Sequence, residues 1–226
     1  MPDPSVKSPS KSDETRARIL AAALELFRAQ GFEATTMREI AVAAGVATGA
    51  AYYYFDSKDA IVLAFYDQAQ KDMEPRLDEV LAASKDLRTR LSGIIGVKLD
   101  YFKSSRRLLG ALAGHTDPEH ALSPFSTQTE AIRAKDTQTF ERALEGSRIK
   151  VSEDLRTYLP RILWMYQMGI ILFWIYDRSA GQKKTRILSD RSLDVVVRLI
   201  ALSRLPLTKP LRRIVIDLVD TVTEAA

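Results

Sequence analysis

Between Thr35 and Lys58 the chain reads TTMREIAVAAGVATGAAYYYFDSK, and no other stretch restricts its folding so closely. Thr36 followed three residues later by Glu39 is a capping box, in which hydroxyl and carboxylate each satisfy an amide left free at a helix start. Met37, Ile40, Ala41 and Ala44 then fall on one helical face. Gly45 follows where a left-handed residue commonly closes a helix, and Val46 is placed to tuck between two helices. The segment from Thr48 to Tyr54 is short, begins with small side chains and ends in three tyrosines. This is the outline of a helix-turn-helix, which lays its second helix in the major groove of DNA.

The flanking chain reads as helical throughout. Ser12 is placed to cap a first helix, with Asp13 and Glu14 in its first turn and Ile19, Leu20, Ala23, Leu24 and Phe27 as its apolar stripe up to Gly31. Asp56 or Ser57 caps a long helix from Lys58 into the low eighties, in which Pro75 predicts a kink or a break. Further helices are expected over Leu87 to Lys103, Arg107 to Ala113, Gln128 to Leu144, Pro160 to Asp177, Ser189 to Ser203 and Pro210 to Thr223, with HTDPEHALSPF as a loop and DRSAGQKKT as a turn. No alternating strand pattern stands out, so the expected fold is all-α. The organisation predicted is a disordered arm over 1–11, a helix-turn-helix domain over 12–57 and a larger helical domain over 58–226, with 58–84 as the linking helix.

Composition narrows the function classes. A chain of 226 residues with 46% apolar residues can bury a substantial core. The absence of cysteine removes disulfides, thiolate metal sites and cysteine nucleophiles. The first residues, MPDPSVKSPSKSDE, have no apolar core and resemble no secretory signal, so a cytoplasmic protein is expected. The run Ile162 to Tyr176 falls short of the roughly 20 residues of a membrane-spanning helix and reads as a buried one, so no membrane partner is expected.

The net charge of +4 is a poor guide to nucleic-acid binding. Up to Tyr66 the basic residues Lys7, Lys11, Arg16, Arg18, Arg28, Arg38 and Lys58 face eight carboxylates, and the basic excess lies downstream. DNA binding must therefore come from local geometry.

From about Arg16 to Phe65 the chain resembles the TetR/AcrR family of bacterial transcription regulators. The resemblance rests on the run from Phe27 through Gly31 and Phe32 to Thr35 and Thr36, on Ile40 and Ala41 with Ala44-Gly45-Val46, and on Tyr52, Tyr53, Phe55 and Lys58. Beyond that window the likeness is general, an all-helical chain of suitable length with a tryptophan-bearing helix that contains Gly169. It implies a homodimer, double-stranded DNA as partner and a C-terminal domain that binds a small-molecule effector. Ala47 departs from the Ser or Thr that often caps the recognition helix, leaving Thr48 as a substitute cap, and Ala51 replaces a larger aliphatic.

The resemblance carries Thr36, Tyr52 and Lys58 over as phosphate contacts, which fix register. Thr48, Gly49, Ala50 and Tyr53 occupy the outer face of the recognition helix, where a hydroxyl, a methyl and bare backbone can meet base edges. Arg38 is a further candidate for backbone or groove contact. Tyr54 and Phe55 are at least as well read as core. The arm with Lys7 and Lys11 is more simply a floppy terminus than a minor-groove reader. Two such modules related by two-fold symmetry call for a palindromic operator. The mechanism expected is repression relieved by a ligand, with activation left open.

Tyr101, Phe102, Trp164, Met165, Met168, Phe173 and Trp174 read either as the lining of a pocket for an apolar or aromatic effector with few polar groups or as a dimer core, the interface having the larger share. His115 and His120 flank Asp117 and Glu119, but their spacing fits no helix-borne metal pair and they read as exposed turn residues. No cofactor or metal is called for. Ser147 and Lys150 match a loose S-x-x-K spacing without a supporting motif, so an enzyme is not expected. The rival reading is an all-helical small-molecule-binding or interaction protein without operator binding.

Overall fold

The computed structural model describes residues 10–113, 117 and 119–224, and every regular element among them is a helix. In chain order these are α1 (Lys11–Ala29), α2 (Met37–Ala43), α3 (Thr48–Tyr54), α4 (Lys58–Ala83), α5 (Leu87–Tyr101), a 3-10 turn (Phe102–Ser105), α6 (Arg106–Leu112), α7 (Glu130–Glu145), α8 (Glu153–Arg156), α9 (Leu159–Tyr176), a 3-10 turn (Ala180–Gln182), α10 (Lys183–Leu202), a 3-10 turn (Pro206–Thr208) and α11 (Lys209–Glu224). Lys7 and His115 lie outside the described residues.

The helix starts follow side-chain chemistry, and they correct the sequence-based expectation in places. Ser10, not Ser12, caps α1: its Oγ accepts the Asp13 amide at 3.2 Å while Asp13 Oδ2 accepts the Ser10 amide at 3.1 Å. A reciprocal box satisfies two amides and prevails over the single cap that Ser12 offers. Lys11 is therefore helical rather than part of an arm. Helix α4 runs unbroken through Pro75, whose position faces solvent while Met73 and Leu77 on either side are buried. The missing hydrogen bond falls where water can replace it. Helix α10 begins at Lys183, six residues earlier than expected, because Asp177 draws in the turn before it. One Asp177 oxygen accepts the Thr185 amide and hydroxyl at 2.9 and 2.7 Å, and the other accepts those of Ser179 at 2.9 and 2.7 Å. The four-residue α8 is too short to show a period in sequence.

Two apolar cores share the molecule. The first gathers Ile19, Ala23 and Phe27 of α1, Ile40 and Ala41 of α2, Ala51 of α3 and Ile61, Val62 and Phe65 of α4. Leu108 and Leu112 of α6, with Leu122, close it. The second gathers Met73 and Leu77 of α4, Leu91 and Ile94 of α5, Phe140 of α7, Leu163 and Trp164 of α9, and Leu193 and Ile200 of α10. Tyr101 and Phe102 pack against both cores, and α4 contributes to both.

A buried arginine joins the helices of the second core. Arg90 donates to Leu81 O (2.7 Å) and Ser84 O (2.6 Å) at the end of α4, and to Arg142 O (3.0 Å) and Ala143 O (3.2 Å) at the end of α7. Carbonyls in the last turn of a helix have no partner within it, and a guanidinium at a C-terminus also meets the negative end of the dipole. Gly146 lacks a side chain where that guanidinium lies; a Cβ there would clash with it. Arg90→Ala should therefore destabilise the protein by about 3 kcal/mol, because several buried carbonyls lose their donor at once. Urea denaturation followed by circular dichroism measures this; a loss under about 0.5 kcal/mol, the range of an ordinary surface change, would show that the clamp is dispensable.

Candidate functional site

The Thr36 box forms as its spacing requires. Thr36 Oγ1 accepts the Glu39 amide at 3.2 Å, and Glu39 Oε2 accepts the Thr36 amide and hydroxyl, both at 2.8 Å. Those bonds, the backbone one foremost, hold the Glu39 carboxyl below its ordinary range. Met37, Ile40, Ala41 and Ala44 turn inward, and Gly45 takes φ +66°, a left-handed conformation that costs glycine little. Val46 is half-buried against the first core. Thr36 and Arg38 remain on the exposed side of α2.

Helix α3 is anchored by one face only. Ala51 is fully buried and Phe55, at the C-terminal end, is 3% exposed beneath the Arg16 guanidinium, 4.7 Å from the ring centre. Tyr54 is half-buried and its hydroxyl accepts from Ser12 at 3.3 Å, so Tyr54 and Phe55 belong to the packing of the domain. On the other face Tyr52 is 52% and Tyr53 82% exposed. Thr48 and Gly49 are exposed and Ala50 half-buried. An added Cβ at Gly49 meets nothing within 4 Å, so the protein's own packing makes no demand for glycine there. Ala47 is the N-cap and makes no side-chain bond; Thr48 is already the first helical residue and does not replace it.

Lys58 has an internal task. Its ammonium donates to Phe32 O at 2.7 Å and Glu33 O at 3.4 Å and sits 4.5 Å from the centre of the Phe32 ring. It fastens the α1–α2 loop to the start of α4, with one of its three protons left for another acceptor. His120 is half-buried rather than exposed: its Nδ1 accepts the Leu122 amide at 3.2 Å and its Nε2 lies 3.7 Å from Asp59 Oδ2. The Ser147 hydroxyl donates to Leu144 O at 2.8 Å, at the end of α7.

Between α4, α5, α7 and α9 lies a cavity of about 130 Å³. Phe102, Trp164 and Met168 line it, as do Leu109, Leu122, Ile132 and Ile171. Tyr101, Met165, Phe173 and Trp174 are elsewhere. The Tyr101 hydroxyl donates to Asp72 at 2.7 Å, Met165 packs against the second core, and Phe173 is exposed. Trp174 is buried with its ring and carbonyl held by Arg106. Helix α9 thus presents Trp164 and Met168 to the cavity and Leu172, Phe173 and Tyr176 outward. The cavity is more polar than its aromatic residues suggest in sequence. Asp136 of α7 accepts from Gln70 of α4 at 2.7 Å and pairs with Lys98 of α5, all three buried, and Tyr66, Thr129 and Arg133 complete the wall. Nothing in the local sequence marks these residues, because they converge from separations such as 38 and 66 positions.

Two family models match the chain: one described as bacterial regulatory proteins of the tetR family over residues 19–65, and one described as a tetracyclin repressor-like C-terminal domain over residues 90–221. A curated relative, the HTH-type transcriptional repressor KstR2 of Rhodococcus jostii, is 32% identical over 104 residues, which cover 46% of this chain and 50% of that protein. The chain spans 32% and 51% of the length of two further curated relatives, both from Pseudomonas putida. Among solved structures, a TetR transcriptional regulator from Nitrosomonas europaea superposes with a TM-score of 0.61 at 20% identity, covering 81% of this chain and 98% of that one. A SmeT–triclosan complex superposes with a TM-score of 0.59 at 19% identity, covering 81% and 91%. These two likenesses are of fold.

The uncapped start of α3 gives a direct test of how the domain is held. Ala47→Ser supplies the missing side-chain acceptor and should raise stability by about 0.5–1 kcal/mol, while Thr36→Ala should lower it by about 1 kcal/mol. Chemical denaturation of both variants checks the pair; no gain from Ala47→Ser would mean that the first turn of α3 is already satisfied.

Proposed function

The chain belongs to the tetR family of bacterial regulatory proteins, and on that premise we propose that it is a homodimeric, cytoplasmic transcriptional repressor that binds a palindromic operator and leaves it when a small molecule binds. In this reading residues 12–57 are the DNA reader and 58–226 the effector and dimer domain. One observation carries it. A seven-residue helix buries Ala51 against the domain and holds Tyr52 and Tyr53 outward, with most of their surface left to solvent although Tyr53 meets the Tyr54 ring edge-on. Thr48, Gly49, Ala50 and Tyr53 face base edges, and Thr36, Arg38, Tyr52 and the spare proton of Lys58 take phosphates.

Two copies are needed to span two half-sites. Support for the pairing surface comes from α9 and α10, which leave Leu172, Phe173, Tyr176, Val195, Leu199 and Leu202 exposed. Apolar groups gathered so closely mark a surface that another protein covers. Support for effector control comes from α4: Tyr66 and Gln70 face the cavity while Ile61, Val62 and Phe65, on the same helix, lie in the reader's core. A ligand that favours one placement of α4 shifts the half-site spacing by its difference in affinity between the two states. A relative named as a repressor supports repression, and a fold relative solved as a complex with triclosan supports a small-molecule ligand.

Fluorescence anisotropy with fragments of the DNA upstream of its own gene, at two salt concentrations, tests the reading. Saturable, salt-dependent and sequence-selective binding is expected. Arg38→Ala and Tyr52→Phe should weaken binding to all sequences, with the salt slope falling by about one for Arg38→Ala, and Thr48→Ala should alter which sequences are preferred. Leu199→Glu should yield a monomer by light scattering and lose operator binding with it. Retention of no fragment would favour a helical ligand-binding protein without an operator.

A further inference from the structure

Resting on the reading of the α4–α9 cavity as the effector site, we propose that its ligand is a small aromatic carboxylate, with its ring against Trp164 and Met168 and its carboxylate at Arg133 and the Tyr66 hydroxyl. Size sets the first limit. At about 130 Å³ the cavity is close to one of about 150 Å³ that takes benzene, so it admits a single ring, with the carboxylate reaching Arg133 where that residue also borders an open groove. Phe102, Ile132, Trp164 and Met168 supply flat and adaptable apolar walls for that ring.

The charge inventory sets the second limit. Lys98 and Asp136 neutralise one another, leaving Arg133 as the uncompensated charge on the wall. Its guanidinium donates only to neutral oxygens: Pro124 O at 2.7 Å, Ser126 O at 3.3 Å and Thr129 Oγ1 at 3.5 Å. Arg133 also lines the open groove on its other side, together with Arg161. Burial, and then the nearby Arg133 charge, lower the pKa of Arg161, and Arg161 has no ion pair or hydrogen bond among the described residues. Glu130 and Glu141 line the same groove, but neither makes an ion pair with Arg133 or Arg161 among the described residues, so the Arg133 guanidinium keeps its charge for an anion on the cavity side. A cationic ligand would meet the same repulsion.

The third limit is a donor without an acceptor. The Tyr66 hydroxyl lines the cavity and has no hydrogen-bond partner among the described residues. Burial pushes its pKa well up, so it stays a neutral donor across the working range of pH. Lys98 spends one N–H on Asp136 and has two more. The wall therefore offers donors in excess, and a carboxylate, which only accepts, matches them. A neutral amide or alcohol brings donors of its own and leaves Arg133 uncompensated.

The test is calorimetric titration of the full chain with benzoate and with its neutral isostere benzamide. Benzoate should bind about tenfold or more tightly than benzamide, the margin of one charge-assisted hydrogen bond. Arg133→Gln and, separately, Tyr66→Phe should bring the ratio of the two affinities toward one. The Tyr66 hydroxyl makes no hydrogen bond within the described fold, so its variant should keep the wild-type unfolding midpoint and remain informative if Arg133→Gln unfolds. Equal or tighter binding of benzamide, an unchanged ratio in both variants, or no binding of either compound to the wild type would overturn the proposal. Operator binding is measured apart, on the ligand-free protein. A chain that prefers benzoate but holds no DNA refutes the regulator and keeps the ligand class, whereas a chain that holds DNA and ignores benzoate does the reverse.

Discussion

The carboxylate of Asp136 sits where α4, α5 and α7 come together, and the arrangement of the larger domain depends on how it is satisfied. Removing an ion pair from water costs several kcal/mol per ion, a cost met only where geometry is good and the remaining lone pairs are bonded. Lys98 takes one Asp136 oxygen and the Gln70 amide takes the other, so the carboxylate is bonded on both sides. These bonds fix the register of the three helices at one level, while Arg90 fixes the same three at another by binding the carbonyl ends of α4 and α7. A paired, hydrogen-bonded carboxylate also holds its partners at set distances along one wall of the cavity.

Helix α9 meets this frame from the other side. Gln167 in its middle is fully buried, and neither amide atom has a hydrogen-bond partner among the described residues. A buried polar group without a partner costs about 1–3 kcal/mol. The cost falls on the helix that carries both the cavity wall and the outward apolar surface. A segment bonded less completely than its neighbours is also one whose repacking loses less.

What the sequence revealed was local. The Thr36–Glu39 box, the apolar face of α2 and the left-handed Gly45 are each decided within about four residues, and the structure has all three. The inward Phe55 and outward Tyr53 are likewise settled by one turn of helix. The Ser10 box was equally local, but Ser12 competes with it in the same register. Pro75 follows a local rule that burial of Met73 and Leu77 overrides. The polar side of the cavity was not legible, because Gln70, Lys98 and Asp136 look like ordinary helix-surface residues until the folded chain brings them together. The aromatic residues of α9 were legible as buried or covered but not as to which face each took, since a helix apolar nearly all round carries no phase.

The first core holds a consequence for how the protein is made. Leu108, Leu112 and Leu122 complete a core whose other members lie between Ile19 and Phe65, and Arg28 of α1 donates to Ser105 Oγ at 3.4 and 3.3 Å across the same boundary. A chain leaving the ribosome N-terminus first presents α1, α2 and α3 well before α6 arrives to cover them. Until then one apolar side of that bundle stays wet, and its short helices lack the burial that sustains helices of seven residues. The segment proposed to meet DNA is thus translated early and finished late. Its fold is complete only after the helices that frame the cavity have begun to emerge.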